Sequence, residues 1–431
     1  MGAYDNYHTG AEINSHDPAA CDDHDCEENR LITRRALFQG GAGAMALAAM
    51  GMPGLSLAAL PTDRRFVFVL LRGGLDGLAA VPAYADPAYK GIRGQLAVAE
   101  PGRDDGVLDL NGFFGLHPSL KNLHGLYQQG DLSVFHAVAT PYRERSHFDA
   151  QNLLEVGADR PNGASDGWMN RMLGLYGADG ARLGIAFNQT IPLILSGPTP
   201  VSSWAPGGAD MPDDFLARLA HVYAHDQLFS TLLQQAVSAD VIADQAQQGM
   251  MGGGGAAGGN QVLTRTLGTA ARMLQAADGP RMAVIEVGGW DTHANQGAGT
   301  GQLANRLRQL DEGIALLAKE LAPVWDRTAI VVMTEFGRTV AVNGTRGTDH
   351  GTGGMALLAG GSVNGGHVLT NWPGLDTSKL YQGRDLAPTL DARSILKSVL
   401  AQHLGLSWAD VENHVFPNSR EAGPIRQLIK A

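Results

Sequence analysis

Short apolar runs rich in β-branched residues alternate with segments whose apolar residues recur at helical spacing, and this alternation limits the fold more than any other feature of the chain. RRFVFVLLRGGLDGL (64–78), LSVFHAVAT, IPLILSG, the run of Ala283, Val284, Ile285 and Val287, TAIVVMTEFG and MALLAGG read as strands. Between them SLKNLHGLYQQGD, FDAQNLLEVG and LANRLRQLDEGIALLAKEL read as helices, the first ended by Gly130. Strand and helix in repeated order predict an α/β domain with a mostly parallel central sheet and helices on both faces. At 431 residues the chain can bury such a core. The run GMMGGGGAAGGN (249–260) carries too many glycines for a packed element and predicts a loop, and the segment around 200–250 reads as a helical insert.

An open parallel sheet binds ligands beyond the carboxyl ends of its strands. At those ends this chain places Asp76, TPYRERSHFD (140–149), WDTH (290–293), TEFGR (334–338) and GTDHGTGG (347–354). One Asp or His there means little, but clusters recurring in one register predict a shared site. Asp291 and His293, two residues apart after a core strand, read as metal ligands. Carboxylates and imidazoles hold a divalent ion able to polarise a phosphoryl or sulfuryl oxygen, and a hydroxyl beside it becomes a nucleophile. Ser146 is the candidate hydroxyl, between a strand and a helix whose positive dipole end favours an anion. Arg143, Arg145 and Arg338 share these loops, and guanidinium groups bind tetrahedral oxyanions through two hydrogen bonds.

Each residue also has a plainer reading. Ser146 with Asp149 is capping-box-like, Asp76 can serve the Gly-rich turn, Asp349 and His350 can form a turn, and Glu335 and the arginines can be ion-pair partners. His117, His124, His136 and His367 have no acidic neighbour in sequence and read as structural.

Residues 1–32 hold eight acidic residues against one basic and read as a disordered acidic tail. Residues 33–59 carry TRRALFQ ahead of a Gly/Ala-rich apolar stretch, with Ser56, Ala58 and Ala59 offering a cleavage site. This segment resembles a twin-arginine export signal, which implies the twin-arginine translocase as a partner and a periplasmic or secreted location. The stretch is too short and too weakly apolar for a stable membrane span. Both cysteines, Cys21 and Cys26, precede it, so the exported chain is expected to carry no disulfide. A net charge of -11 argues against nucleic acid as a partner.

LLRGGLDGL, RSHFDAQ, GGWDTHANQ, TEFGRT and GTDHGTGG together resemble the exported bacterial family called domain of unknown function 1501, placed in the alkaline phosphatase and sulfatase-like superfamily. The likeness spans nearly all of residues 60–431, including LYQGRDLAPTLDARSILKSVL. It implies an alkaline phosphatase-like fold binding one or two divalent ions. By position it implies a metal ligand at Asp76, a nucleophile at Ser146, a metal held by Asp291, His293 and His350, and a second held by an Asp-His pair. That pair is here Glu335 and Phe336, so an imidazole is lacking, and the second position of the usual Asp-His spacing after Asp291 is Asn295. His147 can fill the vacancy and Asp349 can add a carboxylate. A single ion of zinc, manganese, calcium or magnesium and a carboxylate-rich pair selecting manganese, calcium or magnesium both stay open. The expected function is an exported metal-dependent hydrolase acting on an anionic ester of phosphate or sulfate. The alternative is a non-catalytic envelope protein of the same fold that binds a polymer or partner.

Overall fold

The computed structural model describes residues 62–206, 218–220, 222–223 and 259–430. The acidic tail, the signal segment, most of the helical insert and nearly all of the Gly-rich run lie outside the described residues. The strands of the main sheet are β1 Arg65–Arg72, β2 Leu132–Ala139, β3 Gly184–Phe187, β4 Ser202–Ser203, β5 Met282–Gly288, β6 Thr328–Thr334, β7 Gly354–Ala359, β8 His367–Leu369 and β9 Leu390–Asp391. The helices that matter below are α1 Gly77–Ala80, α2 Lys121–Gln129, α3 His147–Val156, α4 Trp168–Gly174, α5 Gly259–Gln275, α6 Gln302–Glu320 and α7 Ala392–Leu404.

Strand order is β8-β2-β7-β6-β1-β5-β3-β4, with β9 continuing along the β2 edge beyond β8. Every pairing is parallel except those of β7, which runs antiparallel to both β2 and β6. The expectation of a mostly parallel sheet therefore holds.

β1 shows why the sheet is covered on both faces. Side chains alternate across a strand, and here Val67, Val69 and Leu71 pack into one apolar layer while Phe66, Phe68 and Leu70 pack into the other. The first layer includes Leu123 of α2, Ala270 and Leu274 of α5 and Leu307 and Ile314 of α6. The second includes Leu154 of α3, Trp168 and Met172 of α4 and Ile395 and Val399 of α7. Each of these large apolar side chains contributes about 1.5–3 kcal/mol on leaving water. A strand with no polar face can sit only in the middle of such a sandwich.

One expected strand is absent. IPLILSG forms a single 3-10 turn at Leu193–Leu195, and the strand of this region is the preceding Gly184–Phe187. A short apolar run bounded by Pro and Gly has no periodicity to separate strand from turn. The backbone here is satisfied by side chains instead of a ladder: Glu155 accepts from the Ile194 amide at 3.1 Å and Asn170 donates to the Leu195 carbonyl at 2.8 Å. Among the described residues no helix is long and apolar enough to cross a membrane.

Candidate metal centre

Four loops leave the carboxyl edge of the sheet: 73–76 after β1, 140–146 after β2, 289–301 after β5 and 335–353 after β6. Because β7 is antiparallel, the last of these turns back at the same edge, so GTDHGTGG reaches the site at the start of a strand. Gly73 adopts φ 122°, and a Cβ there would stand 2.7 Å from the Asp291 nitrogen, so only glycine lets the first loop lie against residues 290–291. Within 335–353, Gly337 donates to the Thr352 carbonyl at 3.0 Å and Gly351 to the Gly337 carbonyl at 2.8 Å. A Cβ on Gly337 would overlap the Gly353 carbonyl oxygen. These contacts bring Arg338 alongside His350.

The spacing of two between Asp291 and His293 has the expected result, since Thr292 is buried between them while both flanking side chains stay open. His293 Nε2 lies 3.0 Å from Asp291 Oδ1 and 3.0 Å from His350 Nε2. His350 Nε2 lies 3.3 Å from Asp291 Oδ1, and His147 Nε2, the first residue of α3, lies 3.6 Å from Asp291 Oδ2. Ligands about 2.0–2.2 Å from a tetrahedral ion are roughly 3.3–3.6 Å from one another. Asp291 Oδ1, His293 and His350 stand at or just inside that spacing, and His147 reaches the other Asp291 oxygen.

The far side of every imidazole is tied down. His147 Nδ1 faces Glu335 Oε1 at 2.8 Å, His293 Nδ1 faces Asp349 Oδ1 at 3.1 Å, and His350 Nδ1 faces the Arg145 carbonyl at 3.0 Å. An acceptor at Nδ1 places the proton there and leaves the Nε2 lone pair directed inward, as in metal-ligating histidines. His147 Nε2 is buried without a hydrogen-bond partner, and two neutral imidazole nitrogens at 3.0 Å repel unless a proton or cation lies between them. The residues present therefore fit a divalent ion.

Electrostatics support the same centre. Partial burial pushes the Asp291 carboxyl up, but the Arg338 hydrogen bond and charge, with His293 and His350, outweigh it and hold Asp291 below the usual carboxylate range. The hydrogen bond to Glu335 raises His147, against a smaller effect of burial. Burial and the nearby His147 lower His350.

Other expected site residues surround this group or stand apart from it. Glu335 is buried, and Oε1 accepts from Gly73 N, Gln151 Nε2 and His147, while Oε2 accepts from Thr334 Oγ1. It thus anchors His147 through Oε1, standing behind that imidazole from Asp291. Asp349 likewise stands behind His293 and also accepts from Asn343 at 3.0 Å. Asp76 is not brought into the cluster, because Oδ2 accepts from Arg93 Nη2 at 2.5 Å and Gln296 Nε2 at 2.7 Å, and Oδ1 accepts from the Ala79 amide to cap α1. Phe336 packs its ring on His147 and His350, with centroids 4.7 and 5.0 Å away.

Ser146 occupies the N-cap position of α3 with extended backbone, yet its side chain makes no capping hydrogen bond. Asp149, the other half of the expected capping box, accepts from the Tyr142 hydroxyl instead. Arg338 is buried and donates to Asp291 at 2.5 Å, and Arg145 Nε donates to Asp385 at 2.7 Å, so both are ion-pair partners. Among the described residues, Arg143 has the Thr140 and Tyr142 carbonyls as its hydrogen-bond partners. Of the histidines read as structural, His117, His124 and His136 accordingly bond to backbone groups at Ala298, Asp109 and Val81.

Gln151, Gln296, Asn343 and Arg93 escaped the sequence reading. Gln151 had a local signal, being four residues after His147 on one helix face; both donate to the same Glu335 oxygen. Arg93 had none, since nothing local pairs it with Asp76.

No match is found among curated proteins. Among solved structures, the chain is similar to Ps i-CgsB in complex with k-i-k-neocarrahexaose, at 11% identity over 84% of this chain and 77% of that one, with a TM-score of 0.38. It is similar to the phosphonate monoester hydrolase of Agrobacterium radiobacter at 12% identity over 80% and 74% of the two chains, TM-score 0.36. It is similar also to a protein in the alkaline phosphatase superfamily from Vibrio parahaemolyticus at 12% identity over 73% and 66%, TM-score 0.31. The match that reaches the sequence itself covers residues 136–415, from β2 through the end of α7 and on to Val415, and by it the chain belongs to the family described as Protein of unknown function (DUF1501).

Proposed function

We propose that the protein is an exported metal-dependent hydrolase of phosphate or sulfate esters, with one ligand set made of His147, Asp291, His293 and His350. The observation that carries this reading is the uniform anchoring of three imidazoles at Nδ1 while their Nε2 atoms converge near one carboxylate. When bound, a divalent ion supplies Lewis-acid polarisation of the ester's phosphoryl or sulfuryl oxygen. Ser146 is the nucleophile in this reading. Its hydroxyl is not used for capping, it directly precedes the ligand His147, and the start of α3 favours an anion. Its oxygen bonds to phosphorus or sulfur as the ester oxygen departs with a proton, and water then cleaves the seryl ester and restores the serine. Arg143, which among the described residues has no carboxylate partner in its hydrogen bonds, is the guanidinium left to meet a non-bridging oxygen. Arg145 and Arg338 hold the ligand loops through Asp385 and Asp291.

The proposal extends to location and organisation: a twin-arginine signal at 33–59, then one domain from 60 to 431 carrying the 200–250 insert. Protein purified from the periplasm should contain zinc, manganese, calcium or magnesium and turn over a generic aryl phosphate or aryl sulfate. Bound metal without turnover of either would favour the non-catalytic envelope protein. Protein that takes up no divalent ion and hydrolyses neither ester would refute the proposal.

A further inference from the structure

Resting on that reading of the centre, we infer that it holds a single ion, and that the guanidinium of Arg93 compensates Asp76 in place of a second one. A second ion would need Asp76, Glu335 or Asp349, the remaining acidic residues of the strand-end loops apart from the exposed Glu144. Asp76 and Arg93 form an ion pair with 1% and 0% of their side chains exposed, and Gln296 takes a further position on the same carboxylate oxygen. Arg93 is itself held from behind, donating to the Val340 carbonyl at 3.0 Å. A divalent cation beside this pair would face a buried guanidinium at low effective dielectric, where like charges repel far more than in water. Glu335 is buried, with Oε1 taken by Gly73, Gln151 and His147 and Oε2 beside the Thr334 hydroxyl. Phe336 lays an apolar ring against His147 and His350 and offers no donor atom. Asp349 turns Oδ1 to His293 and Asn343, on the side of the His293 ring away from Asp291. Among the described residues, His147, Asp291 and His350 have ligand atoms all within 4.8 Å of one another, and His293 Nε2 lies 3.0 Å from both Asp291 Oδ1 and His350 Nε2, so these donors gather about one point.

The test is elemental analysis of the whole protein loaded with excess zinc, and separately with manganese, then freed of loosely held ions. The expected result is about one ion per chain for either metal, as a single four-donor site requires. A content near two would overturn the inference and leave the proposed hydrolase standing, whereas no retained ion would overturn both. The double replacement Asp76→Asn with Arg93→Met removes both buried charges together, and it should keep about the same single ion, while Asp291→Asn should lose it. Loss of the ion in the double variant, with the fold intact by circular dichroism, would make Asp76 a ligand and overturn the inference.

Discussion

His147 is the residue where sequence position and tertiary role differ most. It begins α3 beside Ser146, yet its ring is fixed by Glu335, 188 residues away, and meets Asp291 of a third loop. Alanine in place of His147, Asp291, His293 or His350 should each lower retained metal, and the losses should not add, because each variant leaves the same incomplete site. Wild-type metal content in all four by elemental analysis would refute the assignment. Ser146→Ala should lower ester hydrolysis at least about 1000-fold, or roughly 4 kcal/mol of transition-state stabilisation, with metal content near normal. Since Ser146 makes no capping bond, thermal stability should fall by less than the ~1 kcal/mol of a lost cap. A fully active Ser146→Ala protein would leave water as the attacking group.

The histidines also set a pH dependence for the metal-free protein. His147 has its folded pKa raised above 6.5, so the stability it contributes is complete below 6.5 and is lost as pH rises through the folded value. A divalent ion competes for the same nitrogen, so metal affinity should increase across that window and then level off. His350 is depressed below 6.5, so its contribution is present above 6.5 and is lost as pH falls through its folded value. Melting temperature against pH, with and without zinc, would check both flanks; a metal affinity independent of pH above 6.5 would contradict the His147 assignment.

At the scale of elements, the loop 335–353 does most to assemble the site. It carries Glu335, Arg338, Asp349 and His350, and it can double back only because Gly337 and Gly351 let its arms touch. Gly337→Ala should cost about 1–3 kcal/mol through overpacking and should also reduce metal retention by displacing Arg338 and His350. A stable variant with full metal content would show that the loop tolerates separation. The periodic segments that became α2, α3 and α6 and strands β1, β2, β6 and β7 were legible because each has a fully or half-buried face with a regular period. The run that became the turn Leu193–Leu195 was not, because side chains of α3 and α4 decide its hydrogen bonding. Nor could local pattern reveal that β7 is antiparallel, because direction depends on which neighbours a strand pairs with.

For the whole molecule, two tests join the centre to the rest of the chain. Removing the ion with a chelator should lower the melting temperature, since a ligand at a hundred times its Kd adds about 2.7 kcal/mol to the native state. An unchanged transition would mean that no ion was bound. Arg34→Lys with Arg35→Lys should retain the precursor in the cytoplasm, because the export pathway that TRRALFQ resembles reads a guanidinium pair; equal periplasmic yield would disprove that route. The amino-acid sequence by itself determined the α/β class, the clustering of chemistry at strand ends and the membership of Asp291, His293 and His350 in one group, because these depend on periodicity and on loops that share a sheet edge. Only the tertiary structure decided which acidic residues face the centre. Glu335 and Asp76 are as acidic in sequence as Asp291, but a carboxylate's role depends on the donors already on its oxygens. Those donors, Gly73, Gln151, Arg93 and Gln296, lie from 17 to 262 residues away along the chain from the carboxylates they bond.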